Sequence, residues 1–165
     1  MLATWQSEPD AASVADTACR LIGVAAKEAI AERGRFRLVL AGGGTPLSTY
    51  CRLAASGQRW KRWSLYYGDE RCLPAGDPER NDSMAREAWL DAVPGPPGQV
   101  HPIPAELGAE SAATAYSMEL AAHGDFDIVL RVPQGIAPRR SGNAGEIRTS
   151  RPKDAFDRMD GVGRR

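Results

Sequence analysis

The run Phe36-Arg37-Leu38-Val39-Leu40-Ala41 passes directly into Gly42-Gly43-Gly44-Thr45-Pro46, and this junction constrains the fold more than any other stretch of the 165 residues. A short apolar run that ends in glycines is the pattern of a buried strand in a parallel sheet. Thr45 is a good N-cap and Pro46 suits a first helical position, so a helix is expected to start there. Strand, tight turn and helix are the unit from which open α/β sheets are built.

The neighbouring segments repeat the unit. Residues 10–33 carry Val14, Ala18, Leu21, Ile22, Ala25, Ala29 and Ile30 at helical spacing, with Asp10 or Ser13 as cap and Gly34 as stop. Pro46 to Ser56 reads as a second helix, with Leu47, Tyr50, Leu53 and Ala54 on one face and Gly57 ending it. Trp63 to Tyr67 reads as a second strand and Asn81 to Leu90 as a third helix. Val100 to Ile103 is expected to be a short strand, Glu106 to His123 a fourth helix and Phe126 to Leu130 a further strand. In the fourth helix Ala112, Ala115, Tyr116, Met118 and Leu120 form the apolar positions. The fold class expected is α/β: an open, mostly parallel, Rossmann-like sheet of right-handed crossovers flanked by helices.

Two segments carry chemistry. Gly42, Gly43, Gly44 and Thr45 stand at a helix start, where free N–H groups and the helix dipole favour an anion. The spacing is that of neither the P-loop nor the Gly-x-Gly-x-x-Gly dinucleotide loop. A phosphate is the expected ligand, against the plainer reading of a tight turn. Gly68-Asp69-Glu70-Arg71 follows the second strand, and ligands of open α/β sheets sit at the carboxyl ends of strands. Two carboxylates and a guanidinium there can orient a substrate and polarise a carbonyl. On charge alone a solvated surface cluster is the better reading; the position beside the glycine loop favours function.

The pattern stops after Leu130. Residues 1–130 hold 12 Lys and Arg against 17 Asp and Glu, whereas residues 131–165 hold 9 against 4. The latter stretch has eight arginines, five glycines and three prolines with no sustained period, and is expected to be a disordered basic tail. Residues 1–130 are thus taken as one domain part and 131–165 as a separate, low-order tail. Net charge is zero, no apolar run is long enough to span a membrane, and no aromatic interleaving marks a nucleic-acid surface. Neither nucleic acid nor membrane is an expected partner. The three cysteines, Cys19, Cys51 and Cys72, lack disulfide or zinc spacing, which together with the absence of a signal peptide suggests a cytoplasmic protein. His101 is read as structural, and His123 as a helix-end residue favoured by the dipole.

The Gly42-Gly43-Gly44-Thr45-Pro46 loop resembles the (S/A)-G-G-(S/T/G)-T-P loop of the 6-phosphogluconolactonases, in the glucosamine/galactosamine-6-phosphate isomerase superfamily. Asp69-Glu70-Arg71-Cys72-Leu73-Pro74 is similar to their D-E-R-x-V-P segment. Asp77 to Met84 is similar to the stretch that follows, with Asn81 at the family's usual Asn, and Phe126-Asp127-Ile128-Val129-Leu130 to their F-D-x-V-L strand. The resemblance spans roughly residues 1–130. It implies hydrolysis of 6-phospho-D-glucono-1,5-lactone to 6-phospho-D-gluconate, a sugar-phosphate substrate, and no metal or organic cofactor. It implies phosphate binding at Gly42, Gly43, Gly44 and Thr45, substrate contact by Arg71, a pocket shaped by Asp69 and Glu70, and Asn81 in that pocket. The related glucosamine-6-phosphate deaminases typically have D-E-Y where this chain has Asp69-Glu70-Arg71, so Arg71 favours the lactonase.

The family's F-D-x-V-L strand leads into G-x-D-G-H-T-A-S-L-F-P, whose His is the general base. Here Arg131-Val132-Pro133-Gln134-Gly135 follows instead, and that motif is absent. The sheet is therefore expected to be incomplete relative to the family. A frameshift or truncation after about Leu130 is the expected cause: reading codons for Gly135 to Ser141 two bases later permits Gly-His-Arg-Thr-Ala-Ser-Leu. A variant tail and a recruited basic segment are the alternatives. Two further readings of function stay open, an inactive sugar-phosphate binder and a deaminase-like isomerase.

Overall fold

The computed structural model describes residues 5–94 and 97–131. The first helix, α1, spans Ala11–Arg33. The Asp10 carboxylate accepts from the Ser13 N–H at 2.8 Å, and Gly34 ends the helix at φ 74°, as the sequence suggests. Strand β1 is Phe36–Leu40 and helix α2 is Gly44–Ala54. Strand β2 is Trp63–Tyr67; α3, Asn81–Ala85, runs on through a π-helical turn over Arg86–Leu90. Strand β3 is Gln99–His101, α4 is Ala109–Ala121 and β4 is Ile128–Val129.

The four strands are parallel in the order β3-β2-β1-β4, with Leu38 opposite Leu65 and Ile128. Each of the first two connections returns to the next strand outward. The third crosses back over β2 and β1, so strand order reverses between β1 and β4, which is where doubly wound sheets place their ligands.

One face carries the core. Phe36, Leu38 and Leu40 of β1 and Trp63, Leu65 and Tyr67 of β2 alternate onto it and meet Ile22, Ala26 and Ala29 of α1, Tyr50 and Leu53 of α2 and Trp89. Its centre is aromatic: Trp63 lies edge-on to Phe36 at 4.7 Å, to Trp60 at 4.8 Å and to Trp89 at 5.8 Å between ring centres. On the other face Tyr66 packs among His101, His123 and Phe126.

Four local expectations are corrected. Helix α2 begins at Gly44 with Gly43 as N-cap, so Thr45 is the second helical residue rather than the cap. The φ of 108° at Gly43 favours glycine, which is why the turn ends there. Helix α4 starts three residues after Glu106, because Ala105–Leu107 forms a separate 3-10 turn closed by Gly108 at φ 84°. Of its expected apolar stripe only Ala112 and Tyr116 are buried, and Met118 is 74% exposed, since α4 offers the sheet a narrow face. Strand β4 keeps two residues of the five expected, although the flanking Asp127 and Leu130 N–H groups still donate to Arg37 and Val39. The expected tail lies outside the described residues from 132 onward.

Candidate active-site groove

Two strand ends build the site. At the end of β1, the Tyr50 hydroxyl donates to the Ala41 carbonyl at 2.8 Å and accepts its N–H at 3.0 Å. Tyr50 is fully buried, and burial holds its phenol above the ordinary pKa, so it stays a donor. This clamp fixes where the glycine loop leaves the sheet. No side chain caps α2, and among the described residues the N–H groups of Gly44 and Thr45 meet no acceptor. Both residues lie at the solvent-facing helix start, where the dipole adds positive potential.

At the end of β2, Glu70 has a role its sequence position does not announce. Its side chain is 1% exposed and its oxygens accept from the N–H groups of Asn81 at 2.7 Å and Asp82 at 2.9 Å. It also accepts from Arg71 N–H at 2.8 Å. Glu70 therefore caps α3 from eleven residues away and draws the loop over residues 71–80 into shape. Beneath that loop lies Arg80, 2% exposed, with Nε 3.0 Å from Asp82 and Nη1 2.9 Å from Glu106. Its remaining N–H groups reach the carbonyls of Leu73 and Ile103. Burial opposes the Arg80 charge, but Glu106, Asp82 and Glu70 outweigh it and hold the pKa above the usual arginine value. No motif singles out Arg80; its burial and its partners from three segments reveal it.

Asn81 joins the two strand ends. Its Nδ2 donates to the Asp69 carbonyl at 3.0 Å, and its Oδ1 accepts from Arg71 Nη1 at 2.9 Å. The same amide lies against Gly42: a Cβ there would fall 2.7 Å from Asn81 Cγ and closer still to Oδ1. Arg71 Nη1 also donates to the Glu79 carbonyl at 2.6 Å. Arg71 pairs with no carboxylate among the described residues, and its exposed guanidinium lines an open groove with Gly43, Pro78, Glu79, Arg80 and Met84. Gly42, Gly43, Asn81 and Arg71 are thus brought together; Gly44 and Thr45 stand beside them, and Asp69 is exposed at the end of β2.

A positive groove edge and an uncapped helix start suit an anionic ligand with a second polar group. No histidine is among the described residues that line the groove. The nearby Tyr67 phenol is raised by burial and by Asp82 and Glu70, so it holds its proton. His101 and His123 lie on the other sheet face, under Tyr66. A second groove, lined by Gln58, Arg59, Trp60, Lys61, Arg62 and Pro94, lies before β2 at the opposite strand ends.

A family model described as glucosamine-6-phosphate isomerases/6-phosphogluconolactonase matches residues 9–131. The chain is 38% identical over 152 residues to a 6-phosphogluconolactonase of Mycobacterium leprae, covering 84% of this chain and 60% of that one. It is 40% identical over 129 residues to a 6-phosphogluconolactonase of Streptomyces coelicolor, covering 67% and 48%. The crystal structure of 6-phosphogluconolactonase from Thermotoga maritima superposes with a TM-score of 0.64 at 29% identity, covering 70% and 54%. The chain spans about half the length of the curated relatives it matches.

Proposed function

Because the chain belongs to the glucosamine-6-phosphate isomerase/6-phosphogluconolactonase family, we propose that its groove is the substrate-docking part of a lactonase acting on 6-phospho-D-glucono-1,5-lactone. The product would be 6-phospho-D-gluconate, in the second step of the oxidative pentose phosphate pathway. One observation carries this reading: the start of α2, which no described side chain caps, and the exposed Arg71 guanidinium flank the same groove, tied together through Asn81.

The phosphate would take the N–H groups of Gly44 and Thr45. Arg71 would hold the polar end of the sugar and draw electron density from the lactone carbonyl. Hydrolysis then adds water to that carbonyl, breaks the ring C–O bond and leaves the proton on the ring oxygen. Glu70 and Asn81 act through Arg71 and the loop geometry, because their polar atoms are already bonded within the fold. The general base for water is not assigned to any described residue. Three free cysteines suit a reducing compartment, so we place the protein in the cytoplasm.

Lactone hydrolysis by the purified chain, measured against the spontaneous background, tests this reading. Arg71→Ala should raise KM, or the dissociation constant for 6-phosphogluconate, by at least about tenfold, as expected for a lost charge-assisted hydrogen bond. If the product binds but the lactone is not turned over, the chain is a sugar-phosphate binder, a reading favoured by the missing base. Ammonia released from glucosamine 6-phosphate would instead identify a deaminase and overturn the part given to Arg71.

A further inference from the structure

We propose that His101, Glu119 and His123 form a structural site for one divalent cation of the zinc class, on the sheet face turned away from the aromatic core. The sheet register puts them there. His101 pairs with Tyr66, one residue out of phase with the core-facing Leu65 and Tyr67. Glu119 lies in the last turn of α4, and His123 is four residues further along, where its N–H still donates to Leu120. That spacing brings both side chains to one side of the helix end.

One donor atom from each residue lies within 4.8 Å of the other two. Ligands bonded to Zn²⁺ at about 2.0–2.2 Å in a tetrahedron are about 3.4 Å apart. Rotamer adjustments of about an ångström would bring the three onto one ion. His101 Nδ1 and Glu119 Oε1 are 2.5 Å apart, joined by a hydrogen bond. A cation would displace the bridging proton to solvent, as metal binding to histidine generally does.

Two observations separate this cluster from a surface ion pair. His101 is 12% exposed in its side chain, and its Nε2 is buried without a partner among the described residues. That leaves Nδ1, which already faces Glu119, as the ring atom open to the ion, while the buried Nε2 needs a partner of its own, such as an ordered water. The ring is also held in place: Tyr66 stacks on it at 4.5 Å with the planes 4° apart, and Tyr66 meets His123 at 5.6 Å and Phe126 at 4.9 Å. Such packing fixes ligand orientation before an ion arrives. Two imidazoles and one carboxylate suit Zn²⁺, Co²⁺ or Ni²⁺ rather than the all-oxygen shells of Ca²⁺ and Mg²⁺. Glu119 is 37% exposed and leaves an entry path. The Arg37 guanidinium is nearby but donates to the Asp125 carbonyl. None of these residues lines the groove, so the ion would fasten α4 to β3 and take no part in lactone chemistry.

The test uses the full chain, stripped with chelator, in a Cys51→Ser/Cys72→Ser background that removes the two exposed thiols. Zn²⁺ is titrated by calorimetry and Co²⁺ by visible absorption. The expected result is one cation per chain, a Co²⁺ spectrum without thiolate charge transfer, and a higher melting temperature with Zn²⁺. Glu119→Gln and His123→Ala should each weaken binding at least about tenfold. Both positions are partly exposed, and an unchanged circular dichroism spectrum will show that each variant folds. No binding at about millimolar Zn²⁺, or an affinity that either substitution leaves unchanged, overturns the proposal.

Discussion

Gly42 matters because of a neighbouring side chain. The Asn81 amide occupies the space that a Cβ at Gly42 would take. Gly42→Ala should therefore push Asn81 away, breaking its bonds to Arg71 and Asp69, and cost about 1–3 kcal/mol by overpacking. Gly44→Ala meets nothing within 4 Å and should stay within about 0.5 kcal/mol of the parent. Urea denaturation of the two variants checks the contrast. Arg80 is the other residue whose importance is spatial. Arg80→Met removes the partner of buried Glu70 and Asp82 and should cost about 3–5 kcal/mol, the usual penalty for leaving one side of a buried ion pair. The same denaturation experiment reads it; a loss under about 1 kcal/mol would mean that water replaces the guanidinium. The glycine run singles out Gly42, the charged run after β2 singles out Arg71, and the family resemblance singles out Asn81. Glu70 and Arg80 are illegible in their roles because their partners lie on segments that only the folded chain brings near.

At the scale of elements, local signals that act over one turn were readable and those that depend on tertiary contact were not. Asp10 and Gly34 bracket α1 because a side-chain cap and a left-handed stop need no distant partner. Thr45 failed as a cap because Gly43, at φ 108°, lets the helix begin one residue before it. Its hydroxyl makes no hydrogen bond among the described residues, while its carbonyl accepts from Thr49 at 2.9 Å. Thr45→Ala should then change stability by less than about 0.5 kcal/mol, whereas loss of a true N-cap typically costs ~1 kcal/mol. Tyr50→Phe is the informative opposite. It removes the hydroxyl that bonds both backbone groups of Ala41, leaves two buried polar groups unmet, and should cost about 1–3 kcal/mol. A parallel fall in affinity for 6-phosphogluconate would show that the clamp also sets the glycine loop. Thermal melts of the two variants, with and without that ligand, separate the cases.

Across the whole molecule, the two faces of the sheet are unequally held. The face under α1 and α2 is filled by interlocking aromatic rings and aliphatic residues. The face under α4 is thin: the helix buries only Ala112 and Tyr116, and Met118 points its apolar surface to solvent. Helical periodicity predicts a broader stripe because it carries no information about how little sheet surface lies opposite. Besides the Glu119–His101 bond, α4 is tied to the sheet by the Tyr116 hydroxyl, which accepts the Tyr67 N–H at 2.9 Å and donates to the His101 carbonyl at 3.2 Å. Elements with few buried contacts open on their own, below the free energy of global unfolding. Amide hydrogen exchange should therefore show α4 losing protection before α1, α2, β1 and β2. Tyr116→Phe should accelerate exchange in α4 and at Tyr67 while leaving α1 unchanged. Equal acceleration in α1 would mean that the two faces unfold as one unit, and that the hydroxyl supports the entire sheet rather than a separable layer.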